Sequence, residues 1–233
     1  MRALVIVHDP GSEAALVGER LEHHGYEQVE VATTTEPGNP VGSAAELGEP
    51  TDYDVIVPMG STFSLTDPER IASWWDDERD FLLRADAAGV PVLGVCFGGQ
   101  ALAAAHGGSV VRSDRPQIGW HPLTPNDGTP LPGGPWFQWH YDRFEPPPGS
   151  DVHATDDVGV QAFTLRRNLG VQFHPEVTRE HLQRWLDLGG IADLERLGID
   201  SEALLAETAA NLDSVRGRTN ALVDWFLTDV ARR

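Results

Sequence analysis

A chain of 233 residues that is 40% hydrophobic carries enough apolar material for a full core, which excludes a disordered or fibrous class. Its 36 acidic side chains outnumber 17 basic ones, all of them arginine, for a formal charge of −19, a field that repels phosphate and excludes nucleic acid as a partner. No run of about 18 apolar residues is present, so no membrane span is expected. The single cysteine excludes an internal disulfide framework and suits a reducing cytoplasm.

The first element in chain order is ALVIVHD (3–9), short, apolar and β-branched, a buried strand. Asp9-Pro10 interrupts it too early for a signal peptide. SEAALVGERLEHHG (12–25) reads as a helix, with Ser12 as N-cap and Gly25 as stop. QVEVATT (28–34) is a second strand, residues 36–50 a Pro/Gly loop, and DYDVIVPMG (52–60) a third strand ending in Gly60. Residues 66–89 read as one helix capped by Asp67 with Pro68 in its first turn, its Trp74-Trp75 pair facing the core. VPVLGV (90–95) is a fourth buried strand, and GGQALAAAHGG starts the helix after it.

Near-continuous apolar strands alternating with helices predict an α/β fold, a mostly parallel central sheet with helices on both faces. The middle of the chain, from SVVRSD through VQAFTLRRNLGVQFHPE, reads as short strands that add antiparallel partners, with a hairpin turn at Arg167-Asn168. Residues 178–190 and about 200–232 return to helix, the second with an apolar stripe from Leu204 to Phe226. No repeat or long linker divides the chain, so residues 1–233 read as one domain with a helical extension from about 190.

The chemistry concentrates at two strand ends. Cys96 follows VPVLGV directly, with Gly94, Gly98 and Gly99 around it. Ligands of open α/β sheets bind beyond the carboxyl ends of the strands, and a sharp strand-to-helix turn exposes a nucleophile there. The following helix points its positive end at the sulfur, which favours an anion. In VQFHPEV, an apolar strand delivers His174, Pro175 and Glu176. Side chains two apart on extended chain project to one side, so Glu176 can orient His174 while His174 serves Cys96 as base. A lone cysteine is more often structural, and a His-Pro-Glu fragment more often a loop; both together at strand ends point to catalysis. These groups call for no cofactor and no metal.

GVCFGGQALAAAHGG, with its Gly-x-Cys-x-Gly-x-Gln elbow, and VQFHPEV resemble the class I, triad-type glutamine amidotransferases, similar to the glutaminase domain of GMP synthase. WFQWHYDRFEPPPG resembles the segment that passes their site. The resemblance implies a flavodoxin-like amidotransferase fold and hydrolysis of the side-chain amide of glutamine, or a γ-glutamyl amide, through a Cys96 thioester. It implies oxyanion donors at Gly60 and Phe97, a substrate contact from Gln100, and backbone around His140, Tyr141 and Asp142 at the substrate's amino-acid end. Two positions depart from the family pattern: Met59 stands where a second glycine is usual before Gly60, and Tyr141 stands where glycine is frequent.

A stand-alone enzyme, a glutaminase subunit serving a separate synthetase, and a degenerate binding or scaffold protein are the functional alternatives. The complete Cys96, His174 and Glu176 set argues against the last. The chain contains no lysine and hence no phosphate-binding Gly-x-x-x-x-Gly-Lys loop. Cysteine peptidases and chaperones that share this sheet commonly place His after the Cys, where Phe97 stands here.

Overall fold

The computed structural model describes all 233 residues. Strands β1 (Arg2–Val7), β2 (Glu27–Ala32) and β3 (Val55–Pro58) form one parallel group in the order β2-β1-β3. Strands β4 (Leu93–Val95), β9 (Asn168–Val171), β8 (Val160–Leu165) and β7 (Asp151–Thr155) follow in that order, with β8 antiparallel to both of its neighbours. The groups join where the Ile56 N–H donates to the Pro91 carbonyl at 3.0 Å and Ile56 bridges Val92 in parallel. The result is a mostly parallel sheet with antiparallel additions on one edge.

Side-chain alternation along β1 explains why both faces are covered. Ala3, Val5 and Val7 pack on one face with α1 (Ala15–His23) and the end of α6 (Ser201–Trp225). Leu4 and Ile6 pack on the other face against α2 (Trp75–Ala88) and α3 (Phe97–Ala105). Strands β5 (Ser109–Leu123) and β6 (Gly134–Glu145) do not enter the sheet; they pair with each other as a long ribbon. The ribbon reaches the sheet at the Phe137–His174 bridge. Phe137, Leu182, Leu194 and Leu204 make a third apolar cluster, which seats the ribbon on α4 (Arg179–Trp185), α5 (Ile191–Leu197) and α6. No helix is long and apolar enough to cross a membrane.

Several local expectations are corrected. Ser12 does not cap α1, which starts at Ala15; its hydroxyl donates to Asp9 at 3.2 Å instead. Residues 66–89 are not one helix: Pro68–Ile71 make a single tight turn, Asp67 makes no cap bond, and α2 starts at Trp75. The break turns Trp74 inward, fully buried, with its indole N–H on the Pro40 carbonyl at 3.0 Å. The β8–β9 turn is Arg166-Arg167, with Arg166 at φ 54°, not Arg167-Asn168. Asn168 belongs to β9 because its amide ties β4 to α2, accepting from Val92 N–H at 3.1 Å and donating to Asp86 at 2.8 Å. The helix expected over 178–190 ends at Trp185, and a wider turn through Gly189 (φ 121°) leads into α5, which the sequence did not announce.

Candidate active site

Register builds the site. In the β4–β9 pair Val95 lies opposite Val171, and the Cys96 N–H donates to the Val171 carbonyl at 2.9 Å. Two neighbouring parallel strands therefore release their chains side by side, one into Cys96 and the other into Gln172-Phe173-His174. Cys96 takes φ 51°, ψ −106°, a strained elbow that costs on the order of 1–3 kcal/mol and persists only where the surroundings enforce it. Here the enforcement is close packing: a Cβ at Gly98 would stand 1.9 Å from the Pro58 carbonyl oxygen. Only glycine lets α3 start so near β3.

His174 is 4% exposed and Glu176 1%. The His174 Nδ1–H donates to Glu176 Oε1 at 2.6 Å, which fixes the tautomer and leaves the Nε2 lone pair free for a proton. Nε2 is buried and makes no hydrogen bond. Burial opposes protonation of this ring, but Glu176 first and Cys96 second outweigh it, and the His174 pKa lies well above the usual 6.5. The strand end carrying this pair is anchored by α6, whose Thr219 hydroxyl donates to the Pro175 carbonyl at 2.6 Å.

Gly60 sits against both groups. A Cβ built there would lie 3.0 Å from His174 Cε1 and 3.8 Å from Cys96 Cβ. Gly60→Ala is expected to push the imidazole by a few tenths of an ångström and, on a catalytic reading of the site, to lower turnover about tenfold, short of the roughly 100-fold of a 1 Å misplacement, with the melting temperature nearly unchanged; steady-state kinetics and a thermal melt check both. Met59, in place of a second glycine, buries its side chain in the core. Its N–H donates to Ile6 at 3.0 Å and its carbonyl accepts from Gly98 at 3.1 Å. Phe97 is the first residue of α3, so its N–H has no acceptor within the helix.

The residues expected at a substrate's amino-acid end gather as well. Gln100, Phe97, His140, Tyr141 and Asp142 line a cavity of about 150 Å³ with Cys96. Gln100 Nε2 donates to the Asp142 carbonyl at 3.1 Å. His140 Nδ1 donates to the same carbonyl at 3.0 Å. Burial first and the neighbouring His174 second push the His140 pKa down to about 4, so at neutral pH it is uncharged. The Asp142 carboxylate is engaged by Ser64 and by Arg112, the latter at 3.1 Å. Tyr141 lies at the rim, its ring under the Arg112 guanidinium at 4.7 Å and its hydroxyl accepting from Arg196 at 2.6 Å.

Sequence reasoning missed the support of the Gly60 loop. His8 and Glu78 are both fully buried and bonded at 2.8 Å, with the His8 ring 4.6 Å from that of Phe97. Asp9 accepts from Thr62 N–H at 2.8 Å and from the Ser61 hydroxyl at 3.2 Å, fixing the residues after Gly60. Arg112, Trp139, Gln172 and Trp185 were also missed; Gln172 Nε2 donates to Cys96 Sγ at 3.8 Å. His8-Asp9 at the end of an apolar strand was the available signal. Glu78, far off in sequence, was not a visible partner for it. No group of three or more His, Cys, Asp or Glu side chains is arranged to hold a metal.

The geometry can be set beside known proteins. The model of the class I glutamine amidotransferase family matches residues 65–189, more than half of the chain. A GMP synthase [glutamine-hydrolyzing] of Parafrankia sp. is 40% identical over 111 residues, 44% of this chain and 20% of that protein. A GMP synthase [glutamine-hydrolyzing] subunit of Sulfurisphaera tokodaii is 30% identical over 147 residues, 59% of this chain and 73% of that relative. The chain spans only 20–24% of the length of the first full GMP synthases it matches. A solved glutamine amidotransferase from Thermotoga maritima superposes with a TM-score of 0.84 at 23% identity, covering 98% of this chain and 99% of that one. Another from Methylobacillus flagellatus gives 0.83 at 20% identity, with 97% and 94% covered. At such identities the likeness is one of fold, and the fold is that of the class I amidotransferases. The motif-bearing core matches at the level of sequence too: the protein belongs to the class I glutamine amidotransferase family.

Proposed function

We propose that the protein is a cysteine-dependent amide hydrolase acting on the side chain of glutamine or a γ-glutamyl amide, and that residues 1–233 work as one catalytic domain. The observation that supports this most is the release of Cys96 and His174 from adjacent parallel strands, with Glu176 on the far side of the imidazole. Cys96 passes its thiol proton to His174, and Sγ attacks the amide carbon as the carbonyl electrons move onto oxygen. The Gly60 and Phe97 N–H groups meet that oxyanion, a contribution typically worth about 10²–10³ in rate per donor. Collapse breaks the C–N bond; the departing nitrogen takes a proton from His174 and leaves as ammonia or amine. Water then adds to the γ-glutamyl thioester, giving its proton to His174, and glutamate departs as the thiol is restored. Gln100, His140, Tyr141 and Asp142 shape the glutamyl end, with Arg112 the cation for its carboxylate.

Because the mechanism needs a reduced thiol, we place the enzyme in a reducing compartment, the cytoplasm. A second reading, a glutaminase subunit that works only with a synthetase, is favoured by the likeness to the Sulfurisphaera GMP synthase subunit. Ammonia release from glutamine by the isolated chain tests the choice. Turnover without a partner is expected; turnover that appears only on adding a synthetase would select the second reading, and none in either condition would end the catalytic one.

A further inference from the structure

Two adjoining cavities share Ser61, Thr62, Trp139 and Asp193, with Cys96 lining one and His174 the other. The smaller holds Cys96, Phe97, Gln100 and Arg112 and is the glutamyl side. The larger, about 300 Å³, starts at Gly60 and His174 and runs out to Trp139, Trp185 and Leu188. His174 lines the larger cavity alone. The nitrogen that leaves must sit beside the ring that protonates it, so the larger cavity lies on the leaving-group side. For glutamine that group is ammonia, which needs about as much room as a water, whose share of liquid volume is about 30 Å³. The cavity is far larger than ammonia requires.

Its walls specify what would fill it. The Trp139 and Trp185 rings meet edge-on at 5.9 Å, and Leu188 lies beside them, 43% exposed. The charged side chains are Asp9, Glu176 and Asp193; His174 is the only basic group. Flat apolar surface suits a ring or a branched alkyl chain. Asp193 is paired with Arg196 at 2.8 Å and Glu176 with His174 at 2.6 Å, but the lining itself holds no guanidinium, and its three carboxylates against one imidazole disfavour a further carboxylate.

We propose that the preferred substrate is an N-substituted γ-glutamyl amide whose amine carries an apolar, ring-sized body and no carboxylate. This rests on the hydrolase reading above and adds the identity of the leaving group. The γ-glutamyl carbon forms its bond to Cys96 Sγ, the C–N bond breaks, and the amine departs with the His174 proton. Water then regenerates the thiol and yields glutamate.

Three amides test it on the isolated enzyme: γ-glutamyl benzylamide, glutamine and γ-glutamylglycine, with glutamate release as the common readout. The benzylamide is expected to exceed glutamine by about tenfold or more in kcat/KM, the discrimination an apolar pocket achieves, with γ-glutamylglycine the poorest of the three. Leu188→Trp, which fills the cavity at an exposed position, should cut benzylamide turnover about tenfold and leave glutamine turnover within about twofold. Leu188→Arg supplies the missing cation and should raise γ-glutamylglycine relative to the benzylamide. Glutamine turnover without a benzylamide preference, or loss of both substrates equally in Leu188→Trp, overturns the proposal and leaves the glutaminase standing. If no amide is hydrolysed and a γ-glutamyl electrophile fails to label Cys96, both readings fall.

Discussion

Replacing Cys96 by alanine is expected to abolish glutamate and ammonia release, a loss of about 10⁴-fold or more, without unfolding the protein. The elbow conformation at φ 51° is enforced by the Cys96 N–H bond to Val171 and by the close approach of Gly98 to Pro58, and neither uses the sulfur. The thiol is 4% exposed and makes only long contacts, 3.8 Å from Gln172 and 4.0 Å from the Trp139 carbonyl. Its removal deprives one buried donor, Gln172 Nε2, of a long and weak bond only. Mass spectrometry after reaction with a glutamine-like electrophile should find one label, on Cys96, in the wild type and none in Cys96→Ala. A label elsewhere, or equal turnover by the two proteins, removes the nucleophile.

Glu176→Gln is the second large effect. The carboxylate accepts the Nδ1–H of His174 at 2.6 Å in a buried site. An amide there can turn its NH₂ toward the ring and select the wrong tautomer. A fall in turnover of about 10²–10⁴ is expected, on the scale seen when the orienting carboxylate of a catalytic triad is neutralised. The same change tests the electrostatics. The folded protein holds the His174 proton more tightly than the unfolded chain, whose value is near 6.5. The stabilisation is therefore fully present below pH 6.5 and is lost as pH rises through the raised folded value. Urea melts across that range should show this fall in the wild type and a flatter profile in Glu176→Gln. An NMR titration should place the His174 midpoint lower in the variant. An unchanged midpoint would show that Glu176 does not set the charge of the ring.

What could be read from the chain was local or periodic. Alternating apolar strands and helices gave the sheet class, and two motifs at strand ends gave Cys96, His174 and Glu176. What could not be read depended on partners distant in sequence. Asn168 looked like a turn residue until its contacts with Val92 and Asp86 placed it in β9. Ser12 looked like a cap, but Asp9 competes for its hydroxyl. The helical pattern over 66–89 placed Trp74 inside, where it lies, but not the break before Trp75, where the Trp74 indole N–H bonds the distant Pro40 carbonyl, a tertiary contact that local preference does not show. Arg112 carries no motif; only the pairing of β5 with β6, which sets it opposite Asp142, brings it to the cavity.

The seam between β4 and β9 also bears on how the protein is made. Gln172 meets Cys96 across 76 positions of chain, and everything between must be synthesised and folded back before the seam closes. Contacts of such long range form late, because the entropy of loop closure is spent before they reward it. A growing chain that has passed residue 96 but not 174 thus carries its thiol without the imidazole, and under the proposed mechanism chemical competence arrives only with the final stages of assembly.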